Sequence, residues 1–338
     1  MEIQHDFSLK TYNSFALDIK AKHFVSLKNK AEAKELASFM QKEKSKFFII
    51  GGGTNLLFTQ DFDGYIIRFE NQEIEILQQE PNHIDICVAA GREWDSFVDY
   101  CVKNNYAGIE NLSLIPGDCG SSVVQNIGAY GAEAKDCIEE VRGINLENGK
   151  AFSFSKEECR FDYRYSIFKE KEYSNFLISH VVYRLKKDFI PNFTYAALSS
   201  YFAGKDSMSL SISDIRHAVI SIRESKLPDH KEIPNAGSFF KNPVVSKDKY
   251  EQLKAVYPDI VAFSLDENNY KLAAAWLIDK AGWKGKQKGN VATHQKQALV
   301  IINNGKASGN EILEFSQDIL EDVMKKFDVQ LNREVILI

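Results

Sequence analysis

The chain has 338 residues, 44% hydrophobic and 26% charged, which suits a globular protein large enough for two or three domains. Its net charge of −5 argues against a nucleic-acid-binding surface as its main business. No apolar run approaches a membrane span, and Met1 to Lys10 lacks the apolar segment of a signal peptide.

Ala33, Leu36, Ala37 and Met40 recur at helical spacing, so residues 31–43 are expected to form an amphipathic helix. Phe47 to Ile50 then reads as a strand, followed by Gly51-Gly52-Gly53-Thr54-Asn55 and a second strand at Gly64 to Ile67. Consecutive N–H groups in such a turn form a concave nest for phosphate oxygens. Two common phosphate loops are excluded. A Walker loop ends in Gly-Lys-Ser/Thr, which Thr54-Asn55 does not supply, and the dinucleotide fingerprint needs glycine where Leu56 stands.

Residues 71–205 favour short strands. Ile84 to Ala89 alternates well, and Trp94, Phe97, Val98 and Cys101 mark a helix whose tryptophan belongs to the core. Gly108 to Gly131 holds five glycines, two adjacent serines and only two charges, Glu110 and Asp118. That composition suits neither an amphipathic helix nor an ordinary polar loop. Glycines let backbone approach a ligand or another backbone, and short neutral side chains supply hydrogen bonds. The structural alternative is a buried irregular crossing, which proteins avoid unless something satisfies its polar groups. Val141 to Leu146, the turn Glu147-Asn148-Gly149 and Ala151 to Phe154 predict a hairpin, and Phe176 to Leu185 a further strand.

From about residue 206, Ser211-x-x-Asp214 predicts a helix cap before Ile215, Val219 and Ile222. Residues 225–243 hold three of the seven prolines and read as long ordered loops. KLAAAWLID (271–279) reads as helix, ALVII (298–302) as strand, Ser308-x-x-Glu311 as the cap of a long helix, and Leu331 to Ile338 as a short strand. Cys87, Cys101, Cys119, Cys137 and Cys159 lie far apart with no CxxC. They suit reduced thiols in a cytoplasm rather than disulfides or a zinc site, and no metal site is expected.

The two glycine stretches together resemble the flavin-binding segments of the UDP-N-acetylenolpyruvoylglucosamine reductases. The likeness continues through FDYRYSIFK (161–169), NAGSFFKNPVVS (235–246), KLAAAWLID, QALVIINNGKASG (297–309) and LNREV (331–335), essentially the whole chain in order. It implies an α+β protein: a vanillyl-alcohol-oxidase-type (PCMH-type) two-part FAD-binding fold with a third, α/β substrate-binding domain. The ranges expected are 1–70 plus 328–338, 71–205, and 206–327.

The resemblance also implies the chemistry, which is reduction of UDP-N-acetylglucosamine enolpyruvate to UDP-N-acetylmuramate in peptidoglycan synthesis. Non-covalent FAD carries the hydride, NADPH is the reductant, and turnover is ping-pong. Ser238 matches the serine that protonates the enol carbon, Arg164 the arginine that stabilises the enolic intermediate, and Glu334 the glutamate that assists it. FAD would lie on Gly51, Gly52, Gly53, Thr54 and Asn55, and on Gly117, Ser121, Ser122, Gln125, Asn126, Gly128, Ala129 and Tyr130. Substrate contacts fall on Tyr195, Lys226 and Asn242. A cytoplasmic monomer is expected.

Each of these residues has a plainer reading. Ser238 after Ala-Gly suits a turn hydroxyl, Arg164 among four aromatics suits stacking, and Glu334 suits a solvated strand. The chain also departs from the pattern. Phe263 stands where many members place a tyrosine over the diphosphate, and Asp118 and Val123 are unusual in the central stretch. An anion near a diphosphate is repelled, so the Asp118 side chain is expected to point away, toward the N–H groups of 120–122. Two other functions fit less of the chain: an FAD oxidase of the same fold, and a non-catalytic nucleotide-sugar binder. His5 and His23 lie outside the glycine loops, which disfavours the histidyl-linked flavin common in such oxidases. A yellow preparation bleached by NADPH excludes the binder.

Overall fold

The computed structural model describes residues 1–338, apart from the side chain of Met208. It divides into two compact units. One comprises Met1–Phe7, Ala21–Gly52 and Asp63–Ser225, and the other Ser8–Lys20, Gly53–Phe62 and Lys226–Ile338.

The first unit is built on two sheets. The smaller has the strand order Glu2–Ser8, Lys20–Leu27, Phe62–Phe69, Phe47–Ile50, and the last two pair in parallel. Its helix Lys30–Glu43 buries Ala33, Leu36, Ala37 and Met40, one stripe at 3.6-residue spacing. Asn29 starts that helix by accepting the Glu32 N–H at 2.9 Å. The larger sheet runs Ala151–Ser155, Ile138–Asn145, Phe176–Lys186, His83–Ala89, Ile74–Gln79, all antiparallel. The predicted hairpin is its first pair, with Gly149 at φ +71° closing the turn. The helix Trp94–Lys103 buries Trp94, Phe97, Val98 and Cys101 as the pattern required.

One expectation gives way here. The central glycine stretch contains a short helix, Cys119–Val124, despite its composition. Tertiary contacts hold it: Gly120 N–H donates to Ala90 O at 2.9 Å, and Cys119 N–H to Arg92 O at 2.8 Å. All five cysteines are buried free thiols.

The second unit holds a four-stranded sheet ordered Asn235–Ser238, Val300–Asn303, Val291–Thr293, Gln287–Lys288. The helix Gly309–Phe327 buries Ile312, Phe315, Ile319, Val323 and Phe327, and begins in the expected Ser308–Glu311 capping box. A three-stranded sheet orders Val244–Ser246, Asn269–Leu272, Ala262–Ser264. KLAAAWLID therefore begins as strand and turns helical only at Ala274–Lys280, and Asn242 Oδ1 accepts the Ala274 N–H there at 2.9 Å. Residues 225–243, expected as loops, include the strand Asn235–Ser238. Only Ile336–Leu337 of the tail is strand, paired in parallel with Leu56–Leu57. Among the described residues no helix is long and apolar enough to cross a membrane.

Candidate active site

In the first unit the two glycine stretches meet. A Cβ built on Gly52 would lie 3.1 Å from Gly117 Cα, and one on Gly51 would lie 3.0 Å from Ser121 Cβ. Larger residues at 51 and 52 would wedge the turn off the segment behind it. The Gly51 and Gly52 N–H groups find no acceptor among the described residues, which leaves two adjacent donors for an anion.

The short helix behind the turn spends its own donors internally. Cys119 and Gly120 N–H go to Arg92 O and Ala90 O, and Ser122 N–H to Asp118 O at 3.0 Å. Asp118 forms a capping box with Ser121, in which the Ser121 N–H turns to the carboxyl and Asp118 N–H donates to Ser121 Oγ at 3.0 Å. The expectation for Asp118 is thus half met. The carboxyl does serve one N–H group of 120–122, that of Ser121, yet it does not point away from the turn. Its oxygens lie 3.4 and 3.6 Å from the Cβ positions of Gly52 and Gly51, because the N-cap site is where the turn packs. The side chain is 6% exposed, and burial, opposed by Arg68, pushes its pKa up to about 6.

Several other expected cofactor contacts are committed to the fold. Ser122 Oγ, fully buried, donates to Cys119 O at 2.7 Å and pairs with the Tyr183 hydroxyl at 3.0 Å. Asn126, also buried, gives Nδ2 to Glu133 and the Asp162 carbonyl and takes the Lys135 N–H on Oδ1. Gln125 is the C-cap of the short helix. Gly128 and Ala129 form a two-residue strand, and Tyr130 hands its carbonyl to Asn111 Nδ2 at 2.8 Å.

Arg164 belongs to this unit. It sits at φ +55° in a turn closed by reciprocal Asp162–Tyr165 backbone bonds, and its Nη2 donates to Gly128 O at 2.7 Å. A left-handed arginine persists only where its surroundings impose it, here by tying the guanidinium to the glycine segment. Tyr195 packs edge-on to Tyr130, with ring centroids 5.4 Å apart. Arg223 was not singled out by sequence, because an arginine on an amphipathic helix reads as solvent-facing. Its Nε is sealed from solvent with no hydrogen-bond partner among the described residues, and its charge acts on the half-buried Tyr130 phenol. No sequence signal separates it from Arg216 on the same helix, which instead grips Asp95 through two nitrogens at 2.7 and 2.9 Å.

The second unit carries Ser238 and Glu334. Ser238 ends the strand Asn235–Ser238 after Gly237, which sits at φ +68°. The next residue, Phe239, accepts the Glu334 N–H at 2.8 Å, and Phe240 bridges to Arg333, so the two candidate residues share one stretch of paired backbone. The Ser238 hydroxyl makes no hydrogen bond among the described residues and is free to serve a ligand. Asn55 joins the same region, its Nδ2 donating to Glu334 O at 3.1 Å. Gly53 adopts φ +67° beside Tyr12. Thr54 follows it in the turn, Lys226 is exposed at the end of the helix Ile212–Lys226, and Asn242 keeps only Nδ2 for a substrate. Phe263 is exposed opposite Lys271 in the three-stranded sheet.

Comparisons with known proteins agree along the whole chain. Residues 21–155 match a family described as an FAD binding domain, and residues 228–338 match the UDP-N-acetylenolpyruvoylglucosamine reductase C-terminal domain. A UDP-N-acetylenolpyruvoylglucosamine reductase of Flavobacterium johnsoniae is 40% identical over 99% of both chains. One from Bacteroides fragilis is 39% identical, covering 98% of this chain and 99% of that one. The crystal structure of the enzyme so named from Thermus caldophilus superposes with a TM-score of 0.69 over 99% of this chain and 98% of that one. At 20% identity it speaks for the fold alone.

Proposed function

The chain belongs to the UDP-N-acetylenolpyruvoylglucosamine reductase family, and from that premise we propose that it reduces UDP-N-acetylglucosamine enolpyruvate to UDP-N-acetylmuramate, a peptidoglycan precursor, with NADPH as reductant. FAD, when bound, supplies the hydride, which no protein side chain can. The first unit fits that cofactor: a glycine turn with two N–H donors unspent among the described residues lies against a second glycine segment, to which the Arg164 guanidinium is tied at Gly128 O. Gly51 to Asn55 would hold its diphosphate, and Gly117 to Tyr130 its ring system. We assign residues 1–70 with 328–338, which include the smaller sheet, and residues 71–205, which include the larger, to the two parts of the FAD-binding fold, although 8–20, 53–62 and 328–338 fall in the second compact unit. Residues 206–327 form the substrate domain.

Addition of hydride to the enolpyruvyl group leaves negative charge beside a carboxylate, and that charge needs a cation and a proton. Arg164 supplies the cation. Ser238 supplies the proton, and Glu334, whose backbone N–H is bonded to the Phe239 carbonyl, steadies the protonating side. Tyr195, Lys226 and Asn242 Nδ2 hold the nucleotide-sugar. NADPH gives up its hydride and leaves as NADP⁺ before the second substrate enters, so turnover is ping-pong, by a monomer in the cytoplasm.

The observation that carries this reading is the Ser238 hydroxyl, uncommitted among the described residues, on the residue next to Phe239, whose carbonyl accepts the Glu334 N–H. Reduction of the flavin by NADPH needs no proton from Ser238, whereas its reoxidation by substrate does. Ser238→Ala should therefore leave the first half-reaction at its wild-type rate and slow the second by ~10²–10⁴-fold. Ser238→Cys should recover part of the loss. Stopped-flow flavin absorbance reads both halves, and equal slowing of the two would reduce Ser238 to a shaping residue.

A further inference from the structure

Asp118 presents a problem that capping alone does not solve. A carboxyl serving only as a helix cap can sit at the surface, where water satisfies its second oxygen. Asp118 is instead 6% exposed, and its Oδ2 has no hydrogen-bond partner. That oxygen and its neighbour face the Gly51–Gly52 turn at 3.6 and 3.4 Å from the two Cβ positions. The turn itself contributes N–H groups that have no acceptor among the described residues. A buried carboxyl atom without a partner is expensive, and one beside an anion-binding turn more so.

The charged groups around it do not relieve the problem. Arg68 Nη2, on the strand Phe62–Phe69, stands 3.7 Å from Oδ2, beyond hydrogen-bond reach. Glu70, just past that strand, and Glu93, just before the helix Trp94–Lys103, add negative charge from two further sides. Burial and these carboxylates together outweigh the arginine, and the acid titrates at about 6 before any ligand arrives.

We propose that Asp118 binds the cofactor's diphosphate in its acid form, donating its O–H to a phosphate oxygen, so that FAD loading takes up one proton. This rests on the reading that the glycine turn holds the diphosphate. The proton comes from solvent, stays on the carboxyl oxygen, and converts a repulsive contact into a charge-assisted hydrogen bond. A dianionic neighbour raises the acid's affinity for its proton further. The direction of the linkage follows. FAD affinity is full while Asp118 is protonated, falls up to tenfold per pH unit as the pH rises through the value of the free protein, and levels off above that of the complex.

Apo-protein titrated with FAD between pH 5 and 9, followed by flavin fluorescence, tests this without turnover. Wild type should bind with constant affinity below about pH 6 and progressively more weakly above it. Asp118→Asn keeps an N-cap and an amide donor, and should show a flat profile with affinity at pH 8 above wild type. Calorimetry in two buffers of different ionisation enthalpy at pH 7.5 should find close to one proton taken up by wild type and none by the variant. A flat wild-type profile, or the same slope in both proteins, overturns the proposal. So does weaker binding by Asp118→Asn at every pH with an unchanged melting midpoint. Gly52→Val separates the underlying reading. If it binds FAD as wild type does, the diphosphate lies elsewhere and both readings fail. If it loses FAD while Asp118 proves silent to pH, only the proton-linked role fails.

Discussion

At the scale of single residues, the glycine turn separates what a sequence discloses from what it hides. Three consecutive glycines announce a turn, yet nothing in the letters says which one the backbone requires. Gly53 sits at φ +67°, and a Cβ there would lie 1.9 Å from the Tyr12 carbonyl oxygen, an immovable backbone atom. Gly51 has ordinary φ, and its Cβ would meet only side-chain atoms, Ser121 Cβ at 3.0 Å nearest. Left-handed backbone costs a β-carbon residue about 1–2 kcal/mol before any clash. Gly53→Ala should therefore lower the denaturation free energy of the apo-protein by at least ~2 kcal/mol, and Gly51→Ala by clearly less. Equal losses would show that local movement relieves both the clash and the left-handed strain. The burial of Asp118 and the place of Arg223 were hidden for a related reason. Whether a charged side chain is sealed in depends on segments far away in sequence, and no local pattern reports it.

Among elements, legibility followed the source of stability. The helix Gly309–Phe327 carries its own signals: an apolar stripe, and a capping box in which Ser308 and Glu311 exchange bonds at 3.2 and 2.7 Å. Sequence found it because those signals are local. Removal of the cap by Ser308→Ala should cost about 1 kcal/mol, read as a shifted urea midpoint with unchanged m-value, and a change in m would point to a wider disturbance. The helix Cys119–Val124 carries no such stripe. Its six residues include one glycine and two serines, poor helix formers, and it exists because backbone partners at Ala90 and Arg92 hold its first turn. Strand and helix in KLAAAWLID were merged for a similar reason. The switch at Ala273 is imposed by Asn242, some thirty residues earlier, capping Ala274.

For the molecule as a whole, the two units interleave along the chain, with breaks after Phe7, Lys20, Gly52, Phe62 and Ser225. No linker composition marks those breaks, so they stayed invisible, whereas the family's motifs were legible because each is short and contiguous. What joins distant segments within the first unit is partly electrostatic. Asp95, on the helix Trp94–Lys103, receives a two-pronged bond from Arg216, 121 residues on, and the Leu114 N–H. Burial pushes the Asp95 pKa up, but the Arg216 and Leu114 bonds outweigh it, and the net shift is downward. A carboxyl depressed on folding contributes stability above its unfolded value of about 3.9, and loses it as pH falls through the folded value. Asp95→Asn leaves the largely buried Arg216 with only Asp99, at 3.7 Å. It should cost about 3 kcal/mol at pH 7. Hydrogen exchange of the amides in Trp94–Lys103 reads that loss in the unit where it occurs. The gap between wild type and variant should hold from pH 8 to about 5 and close as pH drops below 4. A gap still at its full size at pH 2.5 would mean that Asp95 acts through shape and neutral hydrogen bonds, and that the first unit owes nothing at this joint to charge.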